Sequence, residues 1–456
     1  VTPQTAFAQR SALLHFSRNG NFSHDGGSDL LVLERGEGAY VFDTDGNRYV
    51  DGLSSLFCAQ IGYSFGEEMG AVAASQLQQL AFSTIWGSAH PGALELADRI
   101  AAIAPDGIDR VFFTSGGSES VEAAWKIARQ YHVANGEPQR LKAIARNNAY
   151  HGVTLGALSF TGVPAYKEQF GPPAIYTRHV SNTNPFRSEL QGEELTAKLL
   201  AEVESVVIEE GPDTIGVIIA EPVQNAGGCL VPPPGYWQGL REIADRYGIL
   251  LHADEVITGF GRLGEYFGVT RYDVTPDLIT VAKGLTSAYA PMGAVLVSDK
   301  VAAPFYEDKR TLLHGITFGG HPLCAAIALK NLEIFEREQV LENVRAHEDG
   351  LRSRLEQLRA DLPIIGDARG AGFFWAVELV KDADDTRFDG DERERLLRGY
   401  MPRALLDAGL IARGDDRGDT VLQIAPPLIS DDEVLDEIVE KMHTVLLGAQ
   451  RELGIA

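Results

Sequence analysis

Lys283 closes the apolar run Leu-Ile-Thr-Val-Ala-Lys and is followed directly by Gly284. An apolar strand that ends in lysine delivers an amine to the carboxyl edge of a sheet, where open α/β sheets bind ligands. Burial there disfavours the ammonium, lowers its pKa and makes the amine a better nucleophile toward a carbonyl. A second apolar run, in His-Ala-Asp-Glu-Val, ends in Asp254, whose carboxylate can hold a protonated pyridine nitrogen and keep that ring an electron sink. Ser115, Gly116, Gly117 and Ser118 lie between the run at 111–113 and an amphipathic stretch. Glycines there let the backbone approach a phosphate, while amides and hydroxyls at a helix start supply donors and positive potential. Tyr150, in Tyr-His-Gly with His151, offers a face to stack on a flat heteroaromatic ring, and Gly152 gives that ring room. Taken singly, each piece has a plainer reading: a snorkelling surface lysine, an N-capping or metal-bound aspartate, an ordinary turn, a core tyrosine. The glycine turn is neither a Walker lysine loop nor a dinucleotide fingerprint.

Bringing these pieces together requires strands that end at one level. Apolar runs at 216–222, 249–255, 278–283 and 293–298 alternate with helical periodicity, including a helix expected over 118–131. Such runs suit strands buried on both faces of a mainly parallel sheet, so the expected class is α/β. Ahead of them, two β-rich runs within 34–51 flank Asp45-Gly46-Asn47, the turn chemistry of a hairpin. From Pro322 onward the pattern becomes one long charge-rich helical stretch, followed by strand candidates near 372–379 and 421–427. These shifts predict an N-terminal arm and part of a small domain over 1–60, a large domain over 61–330, and the rest of the small domain over 331–456.

A chain of 456 residues that is 45% apolar exceeds the usual size of one domain and can bury a large core. Its 40 Lys and Arg against 64 Asp and Glu give a net charge of -24, a field that repels nucleic acid and anionic membranes. Cys58, Cys229 and Cys324 have no disulfide or zinc spacing, which fits a reducing cytoplasm. No basic leader pattern or long apolar span is read in the sequence. His252, His314 and His321 lack metal-ligand spacing and are expected to be hydrogen-bonded structural residues, so no metal is expected.

Taken in order, the four chemical pieces resemble the class III aminotransferases, the ω-aminotransferase group of fold type I pyridoxal 5′-phosphate (PLP) enzymes. The resemblance runs from about residue 34 to 428, and its most specific segments are 220–228, 252–262, Lys283-Gly284 and 317–322. It implies a seven-stranded, mainly parallel sheet between helices, with a smaller α/β domain built from both termini. It also implies that Lys283 is the Schiff-base lysine and proton shuttle, and that Asp254 pairs with the pyridinium nitrogen. The phosphate cup spans Ser115, Gly116, Gly117 and Ser118; Tyr150 and Val256 sandwich the ring, with His151 and Glu221 beside it. Thr317 is expected to reach the phosphate of the neighbouring subunit's cofactor, making a homodimer part of the active site, with pairing of dimers into a tetramer left open. The implied reaction is ping-pong transfer of an amino group through pyridoxamine phosphate to a keto acid.

The pocket sets the substrate in this family. Relatives that bind 2-oxoglutarate carry an Arg just before Ala-Pro-Pro-Leu, and this chain has Gln423 there, which lacks the charged fork for a carboxylate. Arg413 instead matches the mobile arginine of the amine:pyruvate members, with Arg417 as a substitute and an exposed loop arginine as the plain alternative. Phe57 stands where many amine-accepting relatives carry Trp, Trp86 where an aromatic pocket wall is expected, and Phe16 and Ile316 are further pocket candidates. Pyruvate is therefore the expected acceptor for a primary amine or ω-amino acid donor. The alternatives are a 2-oxoglutarate enzyme, or an aminomutase or decarboxylase of the same fold. A nucleotide-binding α/β protein would leave Lys283 and Asp254 without a role.

Overall fold

The computed structural model describes residues 11–22, 30–307 and 310–455. After a short 3-10 helix (Asn19–Phe22), the first strands are β1 (Leu33–Glu37), β2 (Tyr40–Asp43) and β3 (Arg48–Asp51). The expected hairpin joins β2 to β3, and Asp43 Oδ1 fixes its turn by accepting from the amides of Asp45 (3.0 Å) and Asn47 (2.8 Å).

The buried apolar runs become the central sheet: β4 (Arg110–Thr114), β5 (Lys142–Arg146), β6 (Thr177–Val180), β7 (Ile215–Ala220), β8 (Leu250–Asp254), β9 (Leu278–Val281) and β10 (Gly293–Val297). Their order is β4-β10-β9-β8-β7-β5-β6, with β10 antiparallel to both of its neighbours and the other pairings parallel. Alternation along each strand sends successive side chains to opposite faces. On one face Val217, Ile219, Leu250 and Leu278 pack with Val121, Ala124 and Ile127 of helix α1 (Gly117–Ala134). On the other, Ile218, Leu251 and Ile279 join a core that includes α2 (Gly192–Glu210) and α3 (Tyr236–Tyr247).

The long helical stretch expected after Pro322 is corrected to two helices, α4 (Pro322–Arg337) and α5 (Val340–Asp361). Gln339 between them has φ +51°, a left-handed conformation that ends one helix and redirects the chain. Ile334 and Phe335 before the break, and Val340, Leu341 and Val344 after it, are all buried. The turn lets two amphipathic faces reach the core.

The remaining strands are β11 (Ile365–Ala371), β12 (Phe374–Leu379), β13 (Leu410–Ile411), β14 (Arg413–Asp415) and β15 (Val421–Ile424). They form a sheet in the order β11-β12-β15-β14, except β13, which pairs parallel with β3. The last helix, α6 (Asp432–Leu453), starts at an Asp431 cap and packs on α5. Among the described residues no helix is long and apolar enough to cross a membrane.

The break at Gln339 yields a stability prediction. Gln339→Val should lower stability by about 1 kcal/mol because a β-branched residue resists positive φ, whereas Gln339→Gly should not. Urea unfolding of the two variants checks this; equal losses would remove the left-handed turn as the cause.

Candidate active site

Five parallel strands deliver side chains to the same edge of the sheet. Gly117 and Ser118 follow β4, Tyr150 and His151 follow β5, Glu221 follows β7, Asp254 ends β8, and Lys283 stands two residues past β9. All of them line one cavity of about 500 Å³. Open α/β sheets collect ligands at this edge because the loops there diverge and leave a crevice.

Asp254 forms the floor, with its side chain only 3% exposed. Its Oδ2 lies 2.7 Å from His151 Nδ1, while Oδ1 accepts from the Thr280 hydroxyl (3.1 Å) and the Val256 amide (3.2 Å). Burial alone would raise its pKa, but the bond to His151 and the two histidines beside it outweigh that, and the carboxyl is held below its usual range. His252, behind it, is bonded through Nε2 to Thr280 Oγ1 at 3.0 Å, and burial pushes its pKa down to about 3. His314 stacks on Phe112, and His321 caps α4 by accepting from the Leu323 amide.

Across the cavity, Lys283 has φ +41°, and no described residue accepts a hydrogen bond from its amine. Burial pushes the ammonium below its ordinary pKa, against the opposing pull of Cys58, Asp254 and Glu221. Glu221, its pKa raised by burial, accepts from the amides of Tyr150 (3.2 Å) and Asn225 (2.9 Å). Two glycines mark where the walls close in: a Cβ on Gly117 would lie 2.8 Å from Val256, and one on Gly152 would lie 2.4 Å from Ser118 Oγ. Gly152 also has φ +113°, so both its space and its backbone call for glycine.

Toward the mouth, Phe57 is buried with φ +60°, edge-on to Phe374, and its ring centre is 5.8 Å from Lys283 Nζ. Phe16, Arg413 and Arg417 also line the cavity. Gln423 does not; it is buried behind the wall and donates to the Asn225 carbonyl at 2.8 Å. Ser115, Gly116, Trp86, Ile316 and Thr317 lie outside this chain's cavity lining. Ser115 turns its amide to Glu119, and Trp86 and Thr317 are exposed. Sequence reasoning missed Tyr166, Asn225 and Leu56. Tyr166 sits on the short helix Pro164–Glu168, where no strand-end or glycine signal marks it.

The family model for class-III aminotransferases matches residues 22–446. A protein of Mycobacterium tuberculosis named a probable aminotransferase is 46% identical, over 99% of this chain and 96% of its own length. The putrescine–pyruvate aminotransferase of Pseudomonas aeruginosa is 38% identical, over 90% of this chain and 88% of its own. Among solved structures, a thermostable (S)-enantioselective omega-transaminase from Thermomicrobium roseum superposes with a TM-score of 0.93 at 40% identity, covering 98% of both chains.

Burial lowers the pKa of Lys283 and leaves more of its amine uncharged near neutrality than a fully solvated lysine has, and half-buried Lys167 is likewise lowered to about 8. With bound carbonyl compounds removed, a small aldehyde plus cyanoborohydride at pH 7 should label Lys283 and Lys167 ahead of the exposed lysines, and the preference should shrink as pH rises toward 10. Peptide mass spectrometry reads this; uniform labelling at pH 7 would refute it.

Proposed function

The chain belongs to the class III aminotransferases, enzymes that work with PLP, and we propose that it moves an amino group from a primary amine or ω-amino acid to pyruvate by a ping-pong route. The observation that carries the acceptor assignment is a contrast between two side chains: Gln423 is committed to Asn225 behind the wall, while the Arg413 guanidinium lines the cavity with no hydrogen bond to any described residue.

The residues present fit PLP. A carboxylate held ionised on the cavity floor suits a protonated ring nitrogen, and walls brought together at Gly117 and Gly152 suit a thin, phosphate-bearing ring. On this reading Asp254 holds the ring nitrogen, Gly117 and Ser118 bind the phosphate at the start of α1, and Tyr150 and Val256 bracket the ring. When bound, PLP supplies the carbonyl and the electron-withdrawing ring that make the donor's C–H bond acidic. Lys283 Nζ, facing the cavity, would take the proton from the donor carbon and hold it as the ammonium. Buried Phe57 excludes water beside Lys283, and Leu56 and Phe16 at the mouth receive the apolar part of the amine. Arg413 turns to the carboxylate of pyruvate and gives way when an uncharged amine replaces it.

We further propose a homodimer in which Thr317 reaches the neighbouring subunit's cofactor phosphate. This is supported by exposed apolar side chains on and near the 311–320 segment, namely Phe82, Trp86, Leu313 and Phe318, with Phe82 and Phe318 rings 5.9 Å apart. Three unpaired cysteines suit the cytoplasm as its setting.

The test is one absorption experiment. The visible band of the PLP-loaded enzyme should fall on adding 1-phenylethylamine and return on adding pyruvate but not 2-oxoglutarate; recovery with 2-oxoglutarate alone would reverse the acceptor assignment. Lys283→Ala should stay folded yet lose turnover by about a thousandfold or more. Arg413→Ala should raise KM for pyruvate about tenfold or more, the loss of a charged hydrogen bond, with little change for the amine. Equal effects on both substrates would contradict that role.

A further inference from the structure

Two arginines reach the cavity from one segment, and they are held differently. Strand alternation puts Arg413 and Asp415 on the same face of β14. Arg417 curls back onto Asp415: its amide donates to Oδ1 at 3.1 Å, its Nε lies 2.9 Å from both carboxylate oxygens, and its Nη2 donates to Oδ2 at 2.5 Å. The backbone there is braced, since a Cβ on Gly418 would lie 2.9 Å from both Asn148 Nδ2 and Gly227 Cα. The Arg417 guanidinium also stands 5.5 Å from the Tyr150 ring centre. Arg413 reaches the same carboxylate only through a 4.0 Å contact, and its side chain is 28% exposed against 7% for Arg417. The neighbouring carboxylates are engaged elsewhere, Asp416 with Arg398 and Asp419 with Arg187 and Arg387.

We propose that Asp415 is a specificity-determining residue: it occupies Arg417 and leaves Arg413, of the two described arginines lining the cavity, as the guanidinium available to a substrate carboxylate. The inference rests on the transaminase reading of this cavity. It names the substrate class as molecules with one carboxylate or none, such as a monocarboxylic keto acid, an ω-amino acid or a simple amine. A dicarboxylate needs a second charged fork, and in this cavity the second fork is already filled. The buried pair also keeps Arg417 from confronting an uncharged amine with an unpaired charge.

The test uses the PLP-loaded enzyme with two non-reacting probes, glutarate and propionate, titrated by calorimetry, alongside KM for pyruvate and for 1-phenylethylamine. Asp415→Asn keeps the shape and releases Arg417, so the Kd for glutarate should fall about tenfold or more relative to that for propionate, and KM for pyruvate should not rise. Arg417→Gln leaves Asp415 free to draw in Arg413, so KM for pyruvate should rise about tenfold while that for the amine changes little. The two substitutions therefore act in opposite senses on carboxylate binding. A pair with a purely structural role would raise both KM values in both variants and leave the glutarate-to-propionate ratio unchanged, which would overturn the proposal. The glutarate response needs no turnover, so a wild-type enzyme that transaminates nothing while Asp415→Asn still gains glutarate would overturn the transaminase reading and not the assignment of Asp415.

Discussion

A carboxylate taken out of water keeps its charge only where hydrogen-bond donors replace the water it has lost. Asp254 meets that condition with donors from three directions, and meeting it fixes the centre of the fold. His151 comes from the loop after β5, Thr280 from β9, and Val256 from the chain just beyond β8. Asp254 and Thr280 are also direct register partners in the β8–β9 ladder. A slip of one residue would turn Thr280 to the opposite face and leave Oδ1 with the Val256 amide as its single donor. With the Thr280 proton directed at Asp254, its oxygen is free to accept from His252, which burial holds neutral. A polar chain therefore runs along one face of the sheet from His252 to the cavity floor, and the strand pairing that supplies it is the pairing that levels the ends of β8 and β9.

This explains why so much of the site was legible in the sequence. Lys283, Asp254, Glu221 and Tyr150 each follow an apolar run within a few residues, and runs that form parallel strands bring whatever follows them to one edge. Gly117 and Gly152 were legible as glycines, but the reason for Gly152, a Cβ that would strike Ser118 Oγ, depends on two loops meeting in space. What stayed hidden lies off the strand ends. Tyr166 comes from a five-residue helix with no apolar periodicity, and Asn225 enters through a turn held by Gln423 from a distant strand. The break at Gln339 was missed because the helical pattern continues through it without glycine or proline; burial of both flanking apolar faces overrides local propensity there. Trp86 and Thr317 illustrate another limit, since both are exposed in the single chain and neither lines its cavity.

The cavity also has a polarity that the sequence order does not reveal. Its floor carries carboxylates fixed by backbone amides and buried histidines, whereas its mouth carries guanidinium groups on the short strand β14 and the loop beyond it. Rigidity is graded in the same direction. Asp254 and Glu221 have both oxygens engaged, Arg417 is clamped to Asp415, and Arg413 is held by a single long contact. On the proposed two-substrate reading, a site with one bond-making centre benefits from that gradient. Groups that touch the reacting atoms must hold their geometry through both halves of the cycle. A group that meets a carboxylate in one half and an apolar amine in the other must move, and leaving it partly solvated keeps the cost of its unpaired charge low. Arg413, more exposed than Arg417, satisfies that condition where Arg417 does not.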